Sequence, residues 1–293
     1  KSVQRRKIDN PRRISIMSQE ETSSMAEKKI IHAGIDDFNA LALFLNQNNQ
    51  IHRHLDWFSA LDWLGNQPYL LELAENRIHA VLCTVPEIDE VAWIRVYGVM
   101  DQVSDDEPWH RLLPKTVAQL KKMGVKQLAS LSLHPWFERI LDNSGFKSRQ
   151  NVVVLEWEGN LPDKKRLSPA ILIRPMRIDD LPEVTQIDHL AFPPLWQNCQ
   201  VCLEKAFNQT GISTVALLND EIVGYQISTV MTIYGHLARL AVHPDFQRQG
   251  IAFSLVYNLL HQFKTRGFWR VTVNTQSDNK SSLRLYKLFG FVK

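Results

Sequence analysis

The residues best able to do chemistry lie in one stretch: Leu240-Ala241-Val242-His243-Pro244-Asp245-Phe246-Gln247-Arg248-Gln249-Gly250-Ile251-Ala252. An apolar strand ends, a polar loop turns, and a helix starts at a glycine. The first amides of a helix have no partner within it and point one way, and the helix dipole adds positive potential. A diphosphate suits that place. Gly250 lets a ligand approach the backbone, Ala252 keeps the first turn open, and Arg248 adds a charge. Taken alone, the segment also fits an ordinary strand-to-helix turn. Other candidates are weaker. Cys199-x-x-Cys202 falls on an expected helix with no second pair, and zinc usually takes four ligands. These two are expected to be ordinary helix cysteines, and no metal is expected. His52-Arg53-His54 suits a solvated or capping role better than a metal.

The elements that position the loop follow from periodicity. Ile171 to Arg174 reads as a strand, and Asp179-Asp180 can cap a helix through about Leu190. A second helix runs from about Asn198 to Phe207. A hairpin follows, Val215 to Leu218 and Ile222 onward about the turn Asn219-Asp220-Glu221. Gly235 to Val242 is the next strand. Ala252, Phe253, Leu255, Val256, Leu259, Leu260 and Phe263 keep helical spacing up to Gly267. Phe268 to Val273 alternates as a strand, and Asp278 or Asn279 caps a last helix ending at Gly290.

The same series occurs earlier in the chain. Ile35-Asp36-Asp37-Phe38 answers Ile178-Asp179-Asp180-Leu181. Leu70 to Leu73, the turn Glu75-Asn76-Arg77 and Ile78 onward answer the later hairpin. Gly145-Phe146 answers Gly290-Phe291. Matches in order at a slowly drifting offset argue for two copies of one fold. The expected division is a leader over 1–29, a first domain over 30–157, a linker over 158–169 and a second domain over 170–293. The leader is polar, carries eight Lys/Arg against four Asp/Glu, and has possible starts at Met17 and Met25. It reads as vector- or frame-derived, with a basic arm as the alternative.

Composition sets the outer bounds. The chain has 293 residues, 44% hydrophobic and 22% charged, which suits about two globular domains. No run of about 18 apolar residues occurs, so no membrane span is expected. Three cysteines make no disulfide framework, and a cytoplasmic setting is expected. A formal charge of +3 gives no argument for nucleic acid as a partner. Nothing fixes an oligomeric state.

Gln247-x-x-Gly250-x-Ala252 resembles the acetyl-coenzyme A signature of the Gcn5-related N-acetyltransferase (GNAT) family, Q/R-x-x-G-x-G/A. Ala241-Val242-His243-Pro244-Asp245 before it and Asn279 to Phe291 at the end strengthen the likeness, and the nearest subgroup is the ribosomal-protein N-terminal acetyltransferases. The resemblance is strong over 171–293 and architectural over 30–157. It implies an α/β (α+β) fold of two tandem GNAT-like domains, each a mixed, mostly antiparallel sheet flanked by helices. The pantetheine arm of coenzyme A would lie along Leu240, Ala241 and Val242 like an added strand. The loop from Gln247 and the amides of Arg248, Gln249, Gly250, Ile251, Ala252 and Phe253 would hold its pyrophosphate. Asn279 and Ser282 would sit beside the cofactor. Tyr286 would protonate the leaving thiolate, and the amine would attack the thioester directly. Packing in the core is the plain alternative for Tyr286.

The expected activity is acetyl transfer from acetyl-coenzyme A, the cosubstrate, to a peptide α-amine or small amine. A non-catalytic coenzyme A-binding or interaction protein, or an enzyme using another acyl-coenzyme A, is the alternative. The strand offers Tyr234, His236 and Arg239 with no carboxylate, so His236 is the candidate base. Deprotonating a lysine of pKa about 10.4 costs roughly 4–5 kcal/mol at pH 7, and an α-amine roughly 1 kcal/mol. The lack of an obvious base leans toward an α-amine or a small amine of low pKa. Phe192-Pro193-Pro194-Leu195-Trp196 would shape the acceptor pocket or simply close the core. At an offset of 145, Gly250 falls on Asp105, Ala252 on Glu107 and Tyr286 on Leu141, so the first copy is expected not to bind acetyl-coenzyme A. Trp57, Trp63, Trp93, Trp109 and Trp136 are core candidates first. After Gly145-Phe146 comes a strand, Val152 to Trp157, whereas only Val292-Lys293 follows Gly290-Phe291. Either the second copy is cut short or the first copy's strand fills its gap.

Overall fold

The computed structural model describes residues 28–88, 90–101, 103–164, 167–231 and 234–293; the expected leader lies outside them except for its last two residues. Two hairpin turns mark the repeat. Glu75 and Asn76 have φ of +51° and +58°, and Asn219 and Asp220 have +51° and +65°. Two successive left-handed residues give a two-residue turn whose twist matches its strands. These turns join β3 (Tyr69–Ala74) to β4 (Arg77–Cys83), and β11 (Ile212–Leu218) to β12 (Glu221–Met231).

The first half begins with β1 (Lys29–His32), α1 (Phe38–Gln47) and β2 (Ile51–Arg53). After the β3–β4 hairpin come β5 (Pro86–Ile88), β6 (Val91–Trp93), β7 (Val96–Val99), α2 (Glu107–Lys122), β8 (Gln127–Ala129) and α3 (Pro135–Asn143). Its main sheet has the order β1-β3-β4-β7-β2, and β5-β6-β8 form a smaller one. One face packs Leu41 and Phe44 of α1, and the other packs Trp109 of α2 and Phe137 of α3. Of the five expected core tryptophans, Trp63 and Trp109 are buried. Trp57 and Trp93 turn toward the second half, and Trp136 packs at the margin of the α2–α3 face.

The second half contains β10 (Ile171–Pro175), α4 (Leu181–Ala191), α5 (Gln200–Asn208), the β11–β12 hairpin, β13 (Tyr234–Val242), α6 (Ile251–Thr265), β14 (Arg270–Gln276) and α7 (Lys280–Leu288). Its sheet runs β10-β11-β12-β13-β14-β9, where β9 is Val152–Trp157. The strand expected to end the first domain therefore lies in the second sheet, antiparallel to β14. Trp157 opposes Val271 and Leu155 opposes Val273, so their inward side chains meet in one core. Trp157 is wholly buried and donates from Nε1 to the Asn160 carbonyl at 2.7 Å. On the far side of β9, Glu156 exchanges backbone bonds with Val292. Burial of Trp157 and Leu155 in the second core holds the strand there, while β8, the counterpart of β14, ends its own small sheet.

α2 starts at Glu107 after Asp106, and α6 starts at Ile251 after Gly250. The offset at this point is thus 144, which corrects the sequence alignment by one residue. Gly250 answers Asp106, and Ala252 answers Pro108.

Candidate active site

β13 and β14 run parallel from Tyr234↔Arg270 to Leu237↔Val273 and then separate. Beyond that point β13 keeps its β12 partners from Arg239 to Val242 and, among the described residues, has no strand on its other edge. The result is a V-shaped notch with open backbone donors and acceptors along Ala238 to Val242. A β-bulge beside Ile227 and Ser228 helps turn the strand there. Leu240 and Val242 face α6, whereas Ala241 faces α4.

The notch leads to the loop before α6. Arg248 has φ of +62° and Gly250 of +86°, so the chain makes two left-handed steps just before the helix. A Cβ on Gly250 would meet no atom within 4 Å, which leaves the approach open. The first bond of the helix runs from Ser254 N to the Gly250 carbonyl at 2.9 Å. The amides of Ile251, Ala252 and Phe253 therefore precede the helical ladder. Arg248 and Gln249 are exposed, and Gln247 folds back to donate to the Val242 carbonyl at 3.3 Å. Free amides, a helix N-terminus and an exposed guanidinium form a place suited to a phosphate-bearing anion.

The remaining site candidates fall into two groups. His236 and Tyr286 stand at the closed end of the notch. His236 Nδ1 lies 2.8 Å from Thr272 Oγ1, and burial lowers its pKa from 6.5, against the smaller opposing pull of Thr272. Its ring is neutral at pH 7. Tyr286 is 4% exposed and shares a cluster with Leu237 and Val273, the last pair before the strands part. Burial raises the pKa of its hydroxyl, so it keeps its proton. Asn279 and Ser282 serve the helix itself, because Asn279 Oδ1 caps α7 by accepting from Ser282 N at 3.1 Å.

The first half has the same split, filled differently. β6 runs parallel to β8 from Val91↔Gln127 to Trp93↔Ala129, after which the chain continues as β7. Here β2 lies on the edge of β7, with His52 opposite Tyr97. The chain's own strand thus takes the place that stays open on β13. Two residues fill that space further: His52 is wholly buried, and its ring stacks on Phe137 at 4.1 Å.

Comparison with known proteins agrees with this geometry. The model of the acetyltransferase (GNAT) family matches residues 181–291. The second half is a GNAT acetyltransferase domain. Over 116 residues the chain is 28% identical to the [ribosomal protein bS18]-alanine N-acetyltransferase of Salmonella typhimurium, covering 38% of this chain and 74% of that one. A GCN5-related N-acetyltransferase from Sphaerobacter thermophilus superposes with a TM-score of 0.58 at 14% identity, over 90% of this chain and 92% of the other. A tandem GNAT protein from the clavulanic acid biosynthesis pathway gives 0.59 at 10% identity, over 90% and 95%. Both halves therefore share the GNAT fold, as two tandem copies. No helix among the described residues is long and apolar enough to cross a membrane.

In the GNAT half, a buried ion pair that the sequence did not reveal holds the segment Phe192 to Asn198. Asp188 of α4 is wholly buried. It receives Arg239 Nε at 2.8 Å, Asn198 N at 2.8 Å and the Tyr225 hydroxyl. Arg239 also donates to the Trp196 carbonyl at 2.5 Å and lies 3.7 Å from the Phe192 ring centre. Both ends of Phe192 to Asn198 are thus tied to one carboxylate–guanidinium pair. Arg239 stood out in the strand, but its partner lies 51 residues away and has no motif.

The two GNAT-fold halves meet at this segment. Trp93 packs on Trp196 with ring centres 5.5 Å apart, and Trp196 Nε1 donates to Gln150 Oε1 at 3.0 Å. A cavity of about 420 Å³ opens there, lined by Glu90, Lys126, Arg149, Pro194, Trp196 and Asp278 among others. A smaller one of about 220 Å³ lies in the first half beside Asp56 and Arg95. Those two groups pair with each other at 2.6 Å, so that cavity has fewer free polar groups to offer a ligand. Cys199 and Cys202 are joined as a disulfide, which corrects the expectation of ordinary helix cysteines.

Proposed function

We propose that this chain is an N-acetyltransferase whose second half transfers the acetyl group of acetyl-coenzyme A to a primary amine. The open edge of β13, leading to the two left-handed residues before α6, is the observation that carries this reading. Ala238 to Val242 would bond the pantetheine arm as an added strand. The amides from Arg248 to Phe253, with the Arg248 guanidinium, would hold the pyrophosphate. That arrangement aims the thioester at the closed end of the notch, beside Leu237, His236 and Tyr286.

The residues then divide the chemistry. The amine attacks the thioester carbonyl, a tetrahedral intermediate forms, and the thiolate leaves. Tyr286 keeps its proton in the core and would hand it to the thiolate. His236 is neutral at pH 7 and offers Nε2 as a proton acceptor. The acceptor would enter by the groove between the halves, along Pro194 and Trp196. The similar protein from Salmonella typhimurium is named for alanine, whose only amine is its α-nitrogen. This favours an α-amine here, with a peptide N-terminus or a small amine as acceptor.

The first half would bind no acetyl-coenzyme A, because β2 already bonds the edge of β7. Calorimetric titration with acetyl-coenzyme A tests the assignment. One site per chain is expected, lost in an Arg248→Glu/Gly250→Asp variant. Two sites would overturn the silent first half, and no binding would overturn the function. A panel of acyl-coenzyme A donors distinguishes acetyl from longer groups.

A further inference from the structure

Where the halves meet, three groups with chemistry of their own stand apart from the notch. Cys199 is the N-cap of α5, and its sulfur accepts from Cys202 N at 3.2 Å. Cys202 is 1% exposed, whereas Cys199 is only partly covered. Glu87, on β5 of the other half, places Oε2 3.0 Å from Cys202 Sγ. Its side chain is 13% exposed and pairs with Arg95, which in turn bonds Asp56.

We propose that Cys199 and Cys202 form a reversible thiol–disulfide exchange site for low-molecular-weight thiols, with Glu87 as the proton partner of the buried sulfur. The two sulfurs differ in the way such exchange requires. Cys199 sits at a helix N-terminus, where the dipole favours a thiolate, and an external thiolate can reach it. Cys202 is shielded by protein and is the sulfur that must leave. When the external thiolate attacks Cys199 Sγ, the S–S electron pair departs on Cys202. Glu87 gives that sulfur its proton and accepts a hydrogen bond from the new thiol, and the proton released by the external thiol restores Glu87 through solvent. A second thiol attacks the mixed disulfide, and Cys199 leaves as its thiol. Two external thiols become one disulfide, and the protein gains two electrons and two protons.

Burial raises the pKa of Glu87 more than any other influence, although Arg95 pulls it down. The group therefore holds a proton more readily than an exposed glutamate. Each redox state makes a different contact across the halves. The dithiol gives Glu87 a hydrogen-bond donor from α5; the disulfide gives it a sulfur with no hydrogen. The site is thereby linked to the junction that carries Trp93, Trp196 and the acceptor-side groove.

Cys83 supplies an internal control. It is buried and unpaired, and burial pushes its pKa up to about 12. The test equilibrates the full chain in glutathione buffers of varied reduced-to-oxidised ratio, then alkylates it and reads masses. The expected result is that Cys199 is alkylated in the native protein as the buffer becomes reducing, that Cys202 becomes labelled after denaturation at the same ratios, and that Cys83 is labelled only after denaturation and at every ratio. Glu87→Gln should slow native reduction by about tenfold or more, and Glu87→Asp should fall between. Circular dichroism of each variant confirms that it is folded. Two free thiols in fully oxidised glutathione would overturn the proposal. So would a bond that excess reduced glutathione cannot open in the native protein. Protection of both thiols only on adding zinc would replace exchange with a metal site. An unchanged reduction rate in a folded Glu87→Gln would remove Glu87 from the reaction.

Discussion

Tyr286 carries the clearest residue-scale test. Its hydroxyl makes no hydrogen bond among the described residues, while its ring packs against Phe291 at 5.4 Å between centres. Tyr286→Phe should therefore leave fold stability and acetyl-coenzyme A affinity unchanged. Turnover should fall by about 100-fold, the usual lower worth of a positioned acid. Rates and calorimetry on the same preparation check both halves of that statement; a variant with full turnover would leave Tyr286 as packing only. His236 gives a pH test. Its pKa is lowered in the fold, so the neutral form exists above that lowered value and the acid limb it causes lies below pH 6.5. At higher pH only the acceptor's own ionisation remains. The profile of kcat/KM should rise to a plateau near pH 8 for an α-amine, and keep rising toward pH 10 for a lysine.

At the scale of elements, the same segment occupies two positions in the two copies. In the first half it is β2, bonded to β7 and filling the notch. In the second it is the short turn Pro194–Trp196, held away from the notch by Arg239. Removing one partner of a buried ion pair typically costs about 3–5 kcal/mol. Arg239→Met should destabilise the second half on that scale. Arg239→Lys should rescue little, since an ammonium cannot reproduce the fork to Asp188 and Trp196. Urea denaturation measures both. β9 makes the complementary case. Trp157→Ala should cost about 3–5 kcal/mol of second-half stability. A fragment starting at residue 150 should fold, whereas one starting at residue 159 should not show cooperative unfolding. If the shorter fragment unfolds cooperatively, β9 is dispensable to that core.

The whole molecule explains why two copies are kept together. The second sheet takes its edge strand from the stretch before the linker, and the groove proposed for the acceptor is walled by both halves. Exposed Arg149 lines that groove, far in sequence from the loop before α6. Arg149→Glu should shift acceptor KM severalfold, in opposite directions for acidic and basic acceptors. Affinity for acetyl-coenzyme A should stay the same. Steady-state kinetics with a pair of peptides of opposite charge would show this, and equal shifts for both would place the acceptor elsewhere.

Local chemistry was enough to read much of this protein from its residues. The paired hairpins announced themselves through turn residues that tolerate left-handed backbone, and α6 through its apolar spacing after Gly250. The proposed anion site was legible because an exposed helix start is built by consecutive residues. Asn279 was legible as a cap, and its side chain does cap α7. What no local pattern could state was the company each element keeps. Nothing in Val152 to Trp157 distinguishes one sheet from another, because both sheets want alternating apolar residues; the strand's place was decided by where Trp157 could be buried. The same holds for β2, whose residues show no periodicity that marks a plug. Asp188 with Arg239, and Glu87 with Cys202, are pairs made by packing across long stretches of chain. Sequence alone determined the repeated fold and the position of the open helix start. Tertiary structure decided which notch stays open and what the two halves build between them, because burial and pairing depend on the whole set of neighbours at once.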